Sequence, residues 1–351
     1  MERRRMMKSH RDRSDSNSSF CRENGRSSSS CRESASSTDM NVKIHRTFQD
    51  IETASQQLSA FWDVELLQAS RGTFRLEVSL VFFGQCAVYD VRTEVGLVAG
   101  GQRSDQFVTV SPITTDCSSS RFRGREIGPD QLLIMEPRGD VFQQFASGHR
   151  QAAVSIPVDL FRRVAMAEFG SGDNMNDLIA WQTIVPDRRK FNRFCRTISA
   201  ILQSGNTASA GADADVRLTE YVIGLLVDGE RYHCDLPSAW RRRQIVRRAL
   251  DVIHARLSQP PTILELCEAT GASRRTLFYA FHDMLDLSPR AYTKRVRLQA
   301  ARRMIIDNRD QRCVQRVARK LGFAHEGQFS IDYASVFGES PSKTRLRLIH
   351  S

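Results

Sequence analysis

Nothing in this chain matches C-x-x-C, H-E-x-x-H, G-x-S-x-G or G-x-x-x-x-G-K-[ST]. Those patterns carry thiol redox or zinc chemistry, metal-assisted hydrolysis, serine acylation and phosphate cradling. Their absence leaves no catalytic constellation, and no cofactor or metal is expected. Histidine is sparse at 8 residues, and His45, His149 and His233 stand isolated. A long hydrophobic run is missing too: the longest uncharged apolar stretch is Val78–Tyr89, well short of the roughly 18 to 20 residues of a membrane helix. The N-terminus has no apolar core of a secretory signal. Eight cysteines (Cys21, Cys31, Cys86, Cys117, Cys195, Cys234, Cys267, Cys313) follow no regular spacing. In a chain of this length they read as free thiols of a reducing cytosol, which makes the cytoplasm the expected location.

What is abundant is arginine, and its placement is uneven. Residues 241–351 hold 22 Lys/Arg against 10 Asp/Glu, residues 41–240 hold 20 against 24, and residues 1–40 hold 9 against 6. A basic C-terminal third is thus joined to a mildly acidic middle, so a polyanionic partner is expected for that third alone. Residues 1–40 are rich in Arg and Ser and nearly empty of large apolar side chains, which predicts a disordered tail. Met40, at the edge of the ordered sequence, is a candidate translation start.

With 351 residues the chain has room for more than one hydrophobic core. From Phe48 to Ile156 it shows short apolar or alternating runs broken by Gly, Pro and Asp: "GTFRLEVSLVFFG", "QCAVYDVRTEV", "DQFVTVSP", "DQLLIMEPRGD" and "RQAAVSIP". These predict an antiparallel barrel or sandwich. The tripeptide Arg138–Asp140 reads as a hairpin turn rather than an adhesion motif. After Pro157 the period becomes helical in "VDLFRRVAMAEF", "PDRRKFNRFCRTISAILQSG" and "DVRLTEYVIGLLVDG". In the second of these, Phe191, Phe194, Cys195, Ile198, Ile201 and Leu202 mark one apolar face, suited to the β domain, to a partner subunit or to both.

The C-terminal third says one thing twice. "TGASRRTLFYAFHDMLDLSP" (270–289) and "LGFAHEGQFSIDYASVFGESP" (321–341) each carry a glycine, an aromatic-rich run and a closing Ser-Pro. Gln244–Leu257 is a first helix; Thr262 caps a second at Ile263–Ala269, Gly271 supplies the turn, and Ser273 caps a third at Arg274–Leu285. That is a helix-turn-helix plan. A long helix follows from Ser288/Pro289 to about Asp307, with Tyr292, Val296, Ala300 and Met304 at every fourth position and Lys294, Arg295, Arg297, Arg302 and Arg303 on its other sides. Val314–Leu321, Gly322 and a helix from His325 or Glu326 to Phe337 repeat the plan. In such units the start of the second helix reaches base edges in a major groove. Arg275 is the first choice for a bidentate guanine contact; Ser273, Arg274, Thr276, Phe278 and Tyr279 complete the first reading surface. His325, Glu326, Gly327 and Gln328 form the second, and Lys343 and Arg345 hold phosphates. A connecting helix of about 19 residues spans roughly 28 Å against about 34 Å for a turn of B-DNA, so two successive major grooves are within reach.

Through "SRRTLFYAFHDMLDLSPRAYTKRVRLQAARRMI" and "VARKLGFAHEGQFSIDYASVFGESP" the chain resembles the AraC/XylS family of transcription regulators, and within it the ethanolamine-utilisation-regulator-like subgroup. "FWDVELLQASRGTFRLEV" and "LLIMEPRGDVFQQF" resemble the sensory half of that subgroup. The resemblance implies an α+β multidomain chain with a disordered tail (1–40), a cupin-like sensory β-barrel domain (41–156) and a helical linker or dimerisation region (157–236). An all-α DNA-binding module (241–351) follows, with its two helix-turn-helix units near 262–285 and 314–337. It further implies promoter DNA, RNA polymerase and a small-molecule effector as partners, a homodimer, and a ligand-responsive activator rather than an enzyme. An ethanolamine- or cobalamin-type effector is an analogy only. Two positions depart from the family: Asp286 stands where a glycine is common, and Ile331 where the second reading helix often carries arginine. With Glu326 and Asp332 on that helix repelling phosphate, the first unit is expected to supply most base-specific affinity, with Gln328 the chief reader of the second. Two alternatives compete. One is a cupin-type enzyme with an appended basic domain, disfavoured because residues 70–156 hold only His149 where a metal site needs clustered ligands. The other is an architectural or RNA-binding protein acting through the Arg/Ser tail.

Overall fold

Alternating hydrophobicity from Leu76 to Pro157 lets each strand bury two faces, and the chain uses both. A computed structural model describes residues 43–58, 64–114, 120–169, 179, 183–204, 213–232, 237–307 and 313–347. The Arg/Ser tail and Met40, with the expectations attached to them, lie outside the described residues. The strands are β1 (Lys43–Phe48), β2 (Val64–Gln68), β3 (Leu76–Phe83), β4 (Cys86–Thr93), β5 (Leu97–Gln102), β6 (Phe107–Ile113), β7 (Arg121–Phe122), β8 (Arg125–Glu126), β9 (Gln131–Met135), β10 (Asp140–Phe145), β11 (Arg150–Pro157), β12 (Thr183–Val185) and β13 (Glu230–Tyr232). They pair antiparallel in two sheets, one ordered β1-β3-β4-β11-β6-β9-β12-β13 and the other β2-β5-β10-β7-β8.

The five runs singled out in the sequence are β3, β4, β6, β9 and β11, all in the larger sheet. Neither sheet closes on itself, so the domain takes the two-sheet form and not a closed barrel. The larger sheet packs a face on the helices of residues 158–228 and the smaller one on the C-terminal helices, a layered arrangement around shared cores. The turn at Arg138–Asp140 is not a hairpin: β9 and β10 lie in different sheets, and the turn crosses between them. A two-residue hairpin does join β3 to β4, where Phe83 pairs with Cys86. Its Gly84 has φ +59°, and a Cβ there would lie 2.7 Å from Asp215, so only glycine satisfies both demands.

Helix α1 (Ile51–Leu58) follows β1; α2 (Val158–Phe169), α3 (Arg188–Ser204) and α4 (Ala214–Asp228) follow or interrupt the later strands. The apolar face of α3 is settled: Phe191, Phe194, Ile198 and Ile201 are buried with Val81, Cys86, Val88 and Val154 of the larger sheet and with α2 and α4. Along β4 the side chains alternate, Cys86 and Val88 toward these helices, Tyr89, Val91 and Thr93 toward the smaller sheet.

The C-terminal helices are α5 (Pro237–Ala255), α6 (Ile263–Thr270), α7 (Arg274–Leu285), α8 (Pro289–Asp307), α9 (Cys313–Lys320), α10 (Glu326–Phe337) and α11 (Pro341–Arg347). The first expected helix starts seven residues earlier than Gln244, at Pro237. Pro is favourable in a first helical turn, and only the apolar spacing had marked the start. The described residues from Lys43 to Arg347 belong to one compact unit. Leu67, Val98 and Phe142, on the outer face of the smaller sheet, are buried in the same cluster as Ile245, Ala249, Phe281, Met284 and Tyr292. The first helix-turn-helix unit thereby roofs that sheet.

Candidate nucleic-acid interface

The first unit is built from local capping. The Thr262 backbone N–H and hydroxyl donate to Glu265 Oε2, each at 2.8 Å, and the Glu265 N–H donates back to Thr262 Oγ1 at 3.2 Å, a complete capping box at the start of α6. The Thr262 backbone N–H, then its hydroxyl, then Arg256 hold the Glu265 carboxyl down at about 2. Gly271 ends α6 in the left-handed conformation with φ 64°, and Ser273 Oγ accepts from the Thr276 N–H at 3.2 Å to start α7. Leu277, Ala280, Phe281, Met284 and Leu285 are buried, which turns the opposite face outward.

That outward face carries the expected reading residues. Arg274 and Arg275 are exposed, and among the described residues no carboxylate pairs with either. The Arg274 guanidinium lies 5.6 Å from the centre of the half-buried Phe278 ring. Tyr279 is 61% exposed with Arg242 5.6 Å from its ring centre. Arg242 in turn donates to Asp283 Oδ2 at 2.8 Å, which fixes the stack. Thr276 Oγ1 lies 2.9 Å from Ser273 Oγ, so both hydroxyls belong first to the helix start. Asp286 takes the left-handed role usual for glycine, with φ 51°, and its N–H bonds the His282 carbonyl at 2.9 Å. Aspartate tolerates that region better than most side chains, so the departure costs the turn little.

In the second unit Gly322 has φ 71°, and Phe329, Tyr333, Val336 and Phe337 are the buried face of α10. His325, Gly327 and Gln328 are exposed. His325 occupies the cap position without a side-chain hydrogen bond, and Gln328 Nε2 donates to Asp332 Oδ1 at 3.1 Å. The two acidic residues expected to repel phosphate are already paired: Arg319 with Glu326 at 3.0 Å and Lys294 with Asp332 at 2.7 Å. Their charge is offset within the fold, which weakens the expected repulsion. Ile331 is 65% exposed on the same helix. Lys343 is exposed on α11, whereas Arg345 is half-buried beside Ser342, Ala318 and Phe329.

The arginines expected on the other sides of α8 are largely bound to partners within the fold. Arg302 is buried and bonds Asp50 at 2.8 Å and Glu339 at 2.9 Å. Arg303 reaches Glu52 at 2.6 Å, Arg295 the Gln68 carbonyl at 3.0 Å, and Arg297 the Leu321 carbonyl at 2.6 Å. Nor is the buried face a single four-residue stripe. Tyr292 and Val296 pack in the first unit's core and Leu298, Ala301 and Ile305 in the second's, because one helix must serve two cores on different sides. Asp50, Glu52 and Gln68, which hold the module to the β domain, drew no attention in the sequence; isolated polar residues carry no periodic signal.

Residues 266–347 match the family described as a helix-turn-helix domain. A stretch of 100 residues is 34% identical to the "Probable thc operon regulatory protein" of Rhodococcus erythropolis, covering 28% of this chain and 30% of that protein. Another of 101 residues is 33% identical to "XylDLEGF operon transcriptional activator 3" of Pseudomonas putida, again 28% and 30%. A solved structure of a "probable AraC family transcriptional regulator" from Rhodopseudomonas palustris is 39% identical over 30% of this chain and 96% of its own, with a TM-score of 0.29. The C-terminal module is a helix-turn-helix domain. Its doubled motif is similar to that of AraC/XylS-type regulators. These matches span 30% of the curated relatives' own length.

Proposed function

We propose that the chain is a sequence-specific DNA-binding transcription regulator, a ligand-responsive activator in which a cupin-like β domain senses an effector and two helix-turn-helix units read successive major grooves. It acts in the cytoplasm as a homodimer, on promoter DNA and with RNA polymerase. The matched relatives are named as regulators or activators of operons, which supports transcription control over an enzymatic role. The observation that carries the reading is the charge at the start of α7. Arg274 and Arg275 are exposed without a carboxylate partner among the described residues, while Arg242, Arg256, Arg295, Arg297, Arg302 and Arg303 are bound internally. Free guanidinium groups at that position suit base edges and phosphates. Arg275 is the principal reader, assisted by Ser273, Arg274, Thr276, Phe278 and Tyr279; His325, Glu326, Gly327 and Gln328 form the second surface, and Lys343 and Arg345 the phosphate contacts.

Selection of bound sequences from a random DNA pool, followed by footprinting, tests this. Arg275→Ala is expected to cost about 1–3 kcal/mol and to relax one operator position, while Lys343→Ala weakens all sequences alike. A uniform loss from Arg275→Ala removes it as a reader.

A further inference from the structure

Between the two sheets lies a cavity of about 90 Å³. Leu66, Leu97 and Phe145 form part of its apolar wall, and Arg103, Gln143 and Gln151 are polar groups at its edge. No carboxylate is found among the described lining residues, so the cavity holds one cation and no anion. Arg103 is poorly satisfied there. Its Nη2 donates to Thr109 Oγ1 at 2.5 Å, and its Nη1 has only the Met135 sulfur at 3.5 Å, a weak acceptor. Its Nε is buried and has no hydrogen-bond partner. Glu136, next in the chain to the lining residue Met135, is taken by Arg123 at 2.6 Å. A guanidinium carries five donors, and a charge facing an apolar cavity without a counter-ion is a costly arrangement. The glutamines add neutral hydrogen-bonding capacity: Gln143 Nε2 donates to Gln151 Oε1 at 2.6 Å and Gln151 Nε2 to Ser111 Oγ at 2.8 Å. Behind them His149, 3.1 Å from Gln151 Oε1, has its pKa pushed down by burial and adds no second charge at neutral pH.

We propose that this cavity binds a short-chain aliphatic carboxylate, its carboxylate paired with Arg103 and its hydrocarbon body against the Leu66, Leu97 and Phe145 wall. The inference rests on the β domain being the sensor and supplies the chemical class of the effector. A cavity of about 150 Å³ holds a benzene ring; this smaller one suits an acid of about three to five carbon atoms. A bidentate guanidinium–carboxylate pair satisfies donors that the fold leaves open. An amine such as ethanolamine would bring an ammonium to a guanidinium, and a cobalamin is far too large.

Calorimetric titration of the full-length chain without DNA tests the assignment, with butyrate, butyramide and butylamine as probes. Butyrate should bind saturably, and the isosteric amide and the amine at least tenfold more weakly. Arg103→Gln should lose butyrate affinity at least tenfold and Arg103→Lys keep part of it. Ala153→Leu, which fills the cavity without altering charge, should abolish binding while circular dichroism shows an intact fold; if Arg103→Gln does not fold, this variant decides. Equal binding of butyramide, undiminished butyrate binding by folded Arg103→Gln or Ala153→Leu, or no butyrate binding by the folded wild type overturns the proposal. Loss of specific DNA footprints with butyrate binding intact would instead overturn the regulator reading alone.

Discussion

At the scale of single residues, the two helix-turn-helix glycines are alike in backbone and unlike in surroundings. Gly271 and Gly322 both sit in the left-handed region, with φ 64° and 71°. A Cβ at Gly271 would meet nothing within 4 Å, whereas one at Gly322 would lie 2.2 Å from the Ser258 carbonyl oxygen. Gly271→Ala should therefore cost only the left-handed penalty of about 1–2 kcal/mol. Gly322→Ala should cost clearly more, since the α5–α6 connection must move as well. Urea unfolding of the two variants measures the difference, and equal losses would show that Ser258 yields freely. The same distinction explains why Asp286 is tolerated: its position asks for the backbone angle, which an aspartate can supply, and it keeps its N–H bonded to His282.

At the scale of elements, α8 is less a free connecting rod than a shared wall. Its Gln299 donates to the Leu66 carbonyl at 2.7 Å, and Gln68 of β2 donates to the Val336 carbonyl of α10 at 2.7 Å. Strand β2 thus bonds both α8 and α10 while Leu66 also lines the cavity between the sheets. Arg302 is the most deeply placed of these links: it bonds Asp50 next to α1 and Glu339 and Thr344 beyond α10. Removing one member of a buried ion cluster leaves the others uncompensated, so Arg302→Ala should destabilise the protein by about 3–5 kcal/mol. Chemical denaturation followed by tryptophan fluorescence and by circular dichroism checks this. A loss below 1 kcal/mol would mean that water compensates Asp50 and Glu339.

At the scale of the whole molecule, charge count and available charge differ. The C-terminal third has a net +12 from 22 basic and 10 acidic residues, yet much of that excess is spent on carbonyls and carboxylates within the fold. The affinity for DNA should therefore follow the number of free cations rather than the net charge. If about eight phosphates are engaged, log K falls with log salt at a slope near −7. Titration between low and moderate salt measures it, and a slope beyond about −11 would require the α8 arginines to leave the β domain on binding DNA.

The C-terminal module was the most legible part of the sequence. Its helix ends coincide with local signals, Thr262, Gly271, Ser273 and Gly322, whose effect depends on neighbours three or four residues away. The apolar faces of α7 and α10 follow from spacing in the same way, as do the strands with clear alternation. Pairing of strands into two sheets rather than one barrel, the crossover at Arg138–Asp140, and the burial of Arg302 were decided only by tertiary contacts. Asp50 and Arg302 are separated by some 250 positions in the chain, and no local pattern records such a meeting. Sequence by itself determined the helices from α2 to α10, the five larger-sheet strands with clear alternation, and that two like units would form. Only the packed structure decided which arginines remain free for a partner, because that depends on acids and carbonyls brought near from distant parts of the chain.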